Sequence, residues 1–308
     1  MNKLIAASNV DVSIIIVNYK TTDLILNCLK SIYSVVKGVC FEVIVVDNDS
    51  NDNYKNRIKN EYPDVLCISL AENMGFGRAN NEGIRSAKGR NIFFLNPDTI
   101  LLNDALTILS DYLDTHKNVG ACGGNLYDEN HSPSLSYRRI LPSIVWEIND
   151  SLSQVPEKVF YRNNGRFNTT GKPMKVAYIT GADLMVKRET LIEVGLFSPS
   201  FFMYYEETDL CCRIKRRGFD IVSIPDAKIQ HLEGKSFKQN KWSVNEHKIS
   251  IMEKSRLNFY RRNYSVFYCW VVNFIYRFFL YSRILLATNT YKRKVFAVRL
   301  KALNHLSN

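Results

Sequence analysis

The chain has 308 residues, 46% of them apolar, and carries a net charge of +11 from 41 Lys and Arg against 30 Asp and Glu. That apolar share is the composition of a packed globule, long enough for one large α/β domain or two modest ones. Seven cysteines with an adjacent Cys211-Cys212 pair and no C-x-x-C exclude a disulfide framework and a zinc knuckle, and point to reduced thiols in the cytosol.

Residues 4–7 are the only apolar run near the N-terminus, too short for a signal-peptide core, so export by that route is not expected. Residues 12–17 read as a buried strand. A helix from Asp23 follows, capped by Thr22 or Asp23, with Ile25, Leu29, Ile32, Tyr33 and Val36 on one face. Strands are expected at 41–46, ending at Asp47, and at 65–70, before the glycine-punctuated turn 73–77. A helix over 78–87 leads to a strand at 92–95, which stops at Asn96-Pro97-Asp98. Continuous apolar strands alternating with helices predict an α/β fold, a mostly parallel sheet flanked by helices. Such sheets bind ligands outside the carboxyl ends of their strands, where Asp47, the turn through Asn81 and Asp98 fall.

Farther on, a helix is expected over 103–112 and an extended segment over 119–126. Residues 128–172 are rich in Asn, Ser, Pro and Arg and predict a long irregular excursion, of a kind that is usually functional. Strand character returns at 176–187, with a short helix over 188–194. The aromatic run from Phe201 leads into a helix that starts near Glu206 and stops at Gly218. Strands at 219–224 and 227–230 follow, the second delivering His231.

Glu206, Glu207 and Asp209 open that helix. Acids at a helix start are stabilised by the macrodipole by roughly 0.3–1 kcal/mol, so capping accounts for some of them. The same placement holds a base at a pocket mouth. Asp98, after its Asn-Pro turn, is suited to hold a divalent cation against a diphosphate, or it caps a turn with Thr99. His231 is a packed or surface histidine, or a ligand beside the pocket, with Gly234 and Ser236 close behind in a loop. The turn at Gly75 and Gly77 lacks both the dinucleotide fingerprint and the P-loop lysine, yet glycines before a helix permit close phosphate approach.

The positive excess favours an anionic partner: a phosphorylated ligand, a nucleic acid or an anionic membrane face. It is concentrated between 254 and 301, where eleven Lys and Arg stand with no acid among them. Within that span, residues 264–287 are apolar and aromatic but interrupted by Asn273, Arg277 and Arg283. A central Arg costs at least ~2.5 kcal/mol on insertion scales, which favours lying in the membrane interface over spanning. Packing on the domain is the other option. No nucleic-acid recognition motif is present, and the basic residues interleave with aromatics rather than lining a polar face, so nucleic acid is not an expected partner.

Seven ordered motifs over about residues 11–240 resemble the inverting family 2 glycosyltransferases of GT-A fold, within them the bacterial rhamnosyltransferase-like branch: SIIIVNYKT (13–21), VVDNDSND (45–52), ENMGFGRANNEGI (72–84), FLNPDT (94–99), TGADLMVKRETLIEVGLF (180–197), FFMYYEETDLCCRIKRRGF (201–219) and IQHLEGKS (229–236). The resemblance implies a GT-A domain over 1–240, with a nucleotide-binding half at about 11–127 and an acceptor half at about 128–240. A helical, basic-aromatic extension occupies 241–308. It implies that Tyr19 and Asp47 line the base pocket, with Asn73 and Asn80 near ribose and phosphate. Asn96-Pro97-Asp98 resembles a D-x-D motif reduced to one acid, so that Asp98, completed by His231, would hold Mg²⁺ or Mn²⁺. Glu207 matches the general base, and Glu206 and Asp209 match orienting or acceptor-contacting neighbours. Many relatives carry Arg where Asn80 stands and Asp where Glu207 stands; Arg78, Arg138 or Arg139 could supply the missing phosphate-binding charge.

The implied reaction transfers L-rhamnose from dTDP-L-rhamnose to a lipid-linked or polysaccharide acceptor in O-antigen or capsule synthesis, at the cytoplasmic membrane surface. A UDP-hexose-dependent transferase of the same pathway type is the alternative. An inactive scaffold is disfavoured by the intact Asp98 and Glu207.

Overall fold

The computed structural model describes residues 9–50, 53–152, 154–161, 165–232 and 244–307; Gly234 and Ser236 lie outside the described residues. β1 (Val12–Asn18) is buried along its whole length. Its alternate side chains feed two cores, as the two-residue period of a strand requires. Ile14 and Ile16 pack into one layer with Ile25, Leu29, Leu106 and Leu109, and Ile15 and Val17 into the other with Ala79, Ile84, Leu210 and Ile214. Each fully buried Ile or Leu contributes about 1.5–3 kcal/mol, which makes β1 the spine of the domain.

After β1 the chain runs α1 (Thr22–Val35), β2 (Phe41–Asp47), α2 (Tyr54–Glu61), β3 (Leu66–Ser69), α3 (Phe76–Ser86), β4 (Asn91–Leu95), β5 (Thr99–Leu101), α4 (Ala105–Thr115) and β6 (Val119–Tyr127). Thr21, rather than Thr22 or Asp23, occupies the N-cap of α1. The segment expected to be an irregular excursion holds β7 (Tyr137–Arg138), α5 (Ile144–Ser151) and α6 (Val155–Tyr161), short elements whose periodicity its Asn and Ser content obscured. After β8 (Met174–Lys175), the single strand expected at 176–187 is broken into β9 (Tyr178–Ile179) and β10 (Asp183–Lys187). α7 (Arg188–Val194) and α8 (Glu206–Arg216) follow, and the two strands expected next are one, β11 (Asp220–His231), with a bulge between Ser223 and Lys228.

The sheet order is β3-β2-β1-β4-β10-β6-β11-β5, with β8 on β11. β3, β2, β1, β4, β6 and β11 run one way, and β10, β5 and β8 oppose them. From β1 the chain passes to β2 on one side and β4 on the other, the switch point at which a crevice opens beyond the strand ends.

The extension comprises α9 (Glu246–Asn263), α10 (Val266–Leu286) and α11 (Thr290–Ser307). Phe259, Tyr260, Cys269 and Val272 dock it on Phe201 and Cys212 beside the sheet. Leu257, Tyr276, Leu280 and Leu303 join its three helices to each other.

Candidate active site

A cleft of about 710 Å³ lies along the carboxyl ends of β1, β2 and β4 and extends to the inner sides of α5, α9, α10 and α11. That is within the few hundred to ~1,000 Å³ typical of ligand sites. Tyr19, Asn48 and Asn73 are among its lining residues. Asn48 Nδ2 donates to Asn73 Oδ1 at 2.9 Å, and Asn48 Oδ1 accepts from the Met74 N–H at 2.8 Å, so β2 and the turn before α3 are held as one surface. Asp47 itself faces inward: its carboxylate accepts from Asn18 Nδ2 at 2.7 Å and from the Ser50 N–H at 3.2 Å. Asn48, and not Asp47, is therefore the residue at this strand end that lines the cleft, while Asp47 braces the loop behind.

Asn96, Asp98 and His231 meet in the lining of the cleft. His231 Nε2 lies 3.3 Å from Asp98 Oδ1 and 3.3 Å from Asn96 Nδ2. β11 pairs with β5 through His231 opposite Thr99, which brings the histidine beside the Asn-Pro-Asp turn. Asp98 and His231 offer one carboxylate and one imidazole, and no group of three His, Cys, Asp or Glu side chains forms a closed cluster among the described residues. This donor set fits a hard divalent cation that takes its other ligands from a diphosphate and water, not a structural zinc.

Glu206 and Glu207 open α8 and also line the cleft. Two consecutive left-handed residues precede them, Tyr204 at φ 69° and Tyr205 at φ 68°. Each such non-glycine conformation costs on the order of 1–3 kcal/mol and is kept only where packing over-determines it. Here Tyr205 packs on Phe259 of α9, ring centroids 5.7 Å apart. Gly75, at φ 85°, lets the start of α3 press against the same loop, with the Phe76 N–H donating to the Phe202 carbonyl at 2.9 Å. Glu206 is buried and its Oε2 has no hydrogen-bond partner among the described residues. Burial, and then the carboxylate of Glu207, push its carboxyl well above the ordinary range. Burial also raises Glu207, offset in part by backbone N–H groups and by the Thr208 hydroxyl, which donates at 3.0 Å.

Three further expected residues sit away from the cleft. Arg78 is exposed and donates twice to the Pro199 carbonyl, and Asn80 is buried with Nδ2 on the Phe76 carbonyl at 3.0 Å. Asp209 lies two residues past Glu207, about 200° round the helix. There it is locked by Arg213 at 3.0 Å, Arg262 at 3.4 Å and Asn263 at 3.2 Å, so it ties α8 to α9 and does not line the cleft. Of the alternative phosphate-binding cations, Arg138 lines the cleft and Arg139 stacks on Tyr161 instead.

The far wall was not expected from any motif. Trp146, Glu147 and Asp150 of α5 face Lys248, Met252 and Arg256 of α9, with Tyr276 and Arg299 between. Arg256 Nε donates to Glu147 Oε1 at 2.7 Å, and its guanidinium lies 3.8 Å over the Tyr276 ring. Arg299 and the Tyr276 hydroxyl both donate to Glu253, at 3.0 and 2.8 Å. Glu253 and Arg256, charged residues on the buried side of α9, were the available signal.

A cleft at the switch point of an α/β sheet, lined by an Asp–His pair and by acids at a helix start, defines the GT-A class. Solved structures agree with that fold: a GalNAc-T7 structure with UDP, GalNAc and Mn²⁺ superimposes with a TM-score of 0.61 at 14% identity, over 97% of this chain and 55% of that one. A mannosyltransferase from Pyrobaculum calidifontis in complex with GDP-Man and Mn²⁺ gives 0.58 at 15% identity, over 97% and 87%. The sequence model described as glycosyltransferase like family 2 matches residues 9–247, and the chain belongs to that family.

Similar curated proteins include a low-salt glycan biosynthesis hexosyltransferase of Haloferax volcanii, 29% identical over 68% of this chain and 64% of its own. An N-acetylglucosaminyl-diphospho-decaprenol L-rhamnosyltransferase of Mycobacterium tuberculosis is 26% identical over 61% and 66%. A dTDP-rhamnosyl transferase of Shigella flexneri is 29% identical over 62% and 60%. The chain thus spans less than two thirds of the length of each of these relatives.

Proposed function

We propose that this protein is an inverting, divalent-cation-dependent glycosyltransferase that moves L-rhamnose from dTDP-L-rhamnose to a lipid-linked or polysaccharide acceptor in bacterial surface glycan synthesis. The observation that carries the reading is that Asp98 and Glu207, far apart in sequence, line one cleft. Tyr19, Asn48 and Asn73 would receive the nucleoside, and Asp98 with His231 would hold Mg²⁺ or Mn²⁺ against the diphosphate. The cation, when bound, neutralises charge on the leaving group. Glu207 takes the proton of the acceptor hydroxyl as its oxygen bonds to the anomeric carbon and the sugar–diphosphate bond breaks, a single displacement that inverts the centre. A carboxylate raised by burial is a stronger base than one in water, which suits this task. The far wall from α5 to α11 would seat the acceptor.

The names of the mycobacterial and Shigella relatives support the donor, and the diphospho-decaprenol of the former supports a polyprenyl-linked acceptor. The basic, aromatic extension supports a place on the inner face of the cell membrane. The test is release of nucleoside diphosphate from dTDP-L-rhamnose and from UDP-hexoses, with and without Mn²⁺. Turnover of dTDP-L-rhamnose alone is expected. Turnover of a UDP-hexose alone would replace the donor, and none with any donor would overturn the activity.

A further inference from the structure

α10 has two faces of opposite character. Cys269, Val272, Tyr276 and Leu280 point into the protein. Phe267, Trp270, Phe274, Phe278, Tyr281 and Leu285 form the outer stripe at spacings of three and four, each between 53% and 81% exposed. By length and composition α10 could cross a membrane. Its inner face is occupied, however, and Arg283 Nη2 donates to the carbonyls of Asp150 and Ser151 at 2.8 Å each, bonds that a spanning helix would forfeit.

The stripe is not alone. α5 lies along α10, fastened at one end by the Ile144 N–H donating to the Tyr268 hydroxyl at 2.9 Å and at the other by Arg283. On the outside of α5 and α6, Val145, Leu152, Val155, Val159 and Phe160 are exposed, Phe160 by 81%. Soluble monomers rarely leave contiguous apolar patches larger than a few hundred Å², so this surface calls for a covering.

We propose that α5, α6 and α10 together form a docking face for an anionic lipid bilayer, with α10 lying in the interface plane; this rests on reading the protein as a peripheral glycosyltransferase. Charge selects the occupant. Exposed Arg261 stands before α10 and exposed Lys292, Arg293 and Lys294 after it, with no acid from 254 to 301. Aromatics at headgroup depth with cations beside them suit anionic lipid. A second copy would set cation against cation. Trp146 of α5 and Tyr276 of α10 line the cleft from the inner sides of these helices, so a lipid-anchored acceptor would reach the cleft without leaving the bilayer.

The full chain is tested by flotation with vesicles of phosphatidylcholine, alone or mixed with phosphatidylglycerol. Wild type is expected to float with the anionic vesicles and to be released by salt. Trp270→Ser/Phe274→Ser should weaken binding roughly tenfold or more, and Val159→Ser/Phe160→Ser on α6 roughly three- to tenfold, from the apolar area withdrawn from lipid. Thermal unfolding and donor hydrolysis without vesicles should stay at wild-type level in the α6 variant, because both side chains are exposed. If the α6 variant binds like wild type while the α10 variant does not, the composite face is wrong and the peripheral reading stands. If wild type floats with neither vesicle, both fall. Equal binding to neutral vesicles, or a dimer dispersed by Phe160→Ser, overturns the lipid assignment.

Discussion

His231 Nε2 stands 3.3 Å from Asp98 Oδ1, a pair set by the antiparallel register of β11 on β5 and not by proximity in sequence. If this pair holds the cation, Asp98→Asn should abolish the effect of Mn²⁺ on nucleoside diphosphate affinity, a loss of roughly 10- to 100-fold or more. Calorimetric titration of dTDP with and without Mn²⁺ measures it. Undiminished cation dependence in the variant would refute the assignment.

Glu207→Gln should lower kcat by roughly 10²–10⁴-fold and leave donor KM within about a factor of three, the signature of a lost general base. Glu206→Gln should cost less than about tenfold, since burial and the Glu207 carboxylate push the Glu206 carboxyl upward and so favour the neutral form that glutamine resembles. The rate of the wild type should rise with pH as Glu207 loses its proton, along an acid limb displaced upward from that of an ordinary glutamate. Persistence of that limb in Glu207→Gln would assign the base elsewhere.

Much of this site was legible in the sequence because strand ends announce themselves: the apolar runs stop at Asp47 and Asn96, and the aromatic run stops at Glu206. What a motif does not carry is the direction of a side chain. Asp47 and Asn48 were equally placed by the strand end, and only the Asn18 hydrogen bond turns the aspartate inward. Asp209 shares the acidic run with Glu207, yet helical rotation and the cations of α8 and α9 take it away from the cleft. The far wall was hidden because α5 lies in a polar, proline-containing stretch and α9 to α11 read as an appendage, whereas the buried Glu147–Arg256 pair makes them part of the cleft.

That buried pair gives a stability prediction. Removing one partner of a fully buried ion pair typically costs 3–5 kcal/mol, because the other charge is left uncompensated. Arg256→Met is therefore expected to destabilise by about that amount, and Glu147→Gln/Arg256→Met by clearly less than the sum of the two single changes. Urea unfolding of the four proteins yields the coupling; simple additivity would show that the two side chains act independently.

Asp183 opens β10 fully buried, with Oδ2 accepting from the Gly124 N–H at 2.6 Å and Oδ1 unpartnered among the described residues. Burial pushes its carboxyl from 3.8 to about 7, against the Gly124 hydrogen bond and the nearby His231. A raised folded-state value means that the native protein keeps a proton the unfolded chain has released. The stability due to Asp183 is thus fully present below about pH 4 and is lost as pH rises towards 7, on the order of 4 kcal/mol in all. Asp183→Asn should flatten that part of the stability–pH curve, measured by urea unfolding without added divalent cation, and be the more stable protein at pH 7.5. A slope equal to that of wild type would show that Asp183 is ionised in the fold.

Gly75 and Gly171 separate backbone cost from site geometry. Gly75 adopts φ 85° and ψ 167°, a region reserved for glycine, and a Cβ there would come within 2.1 Å of the Phe202 carbonyl oxygen. Gly171 has φ 67° with nothing within 4 Å of its Cβ position. Gly171→Ala should therefore cost about 1 kcal/mol with unchanged kcat, the strain of a left-handed alanine alone. Gly75→Ala should cost at least about 2 kcal/mol, since the clash adds to the strain. It should also lower kcat at temperatures where the protein is still folded, because the displaced segment 202–205 carries Glu206 and Glu207. If kcat survives in folded Gly75→Ala, the fit between the start of α3 and that loop does not set the position of the base.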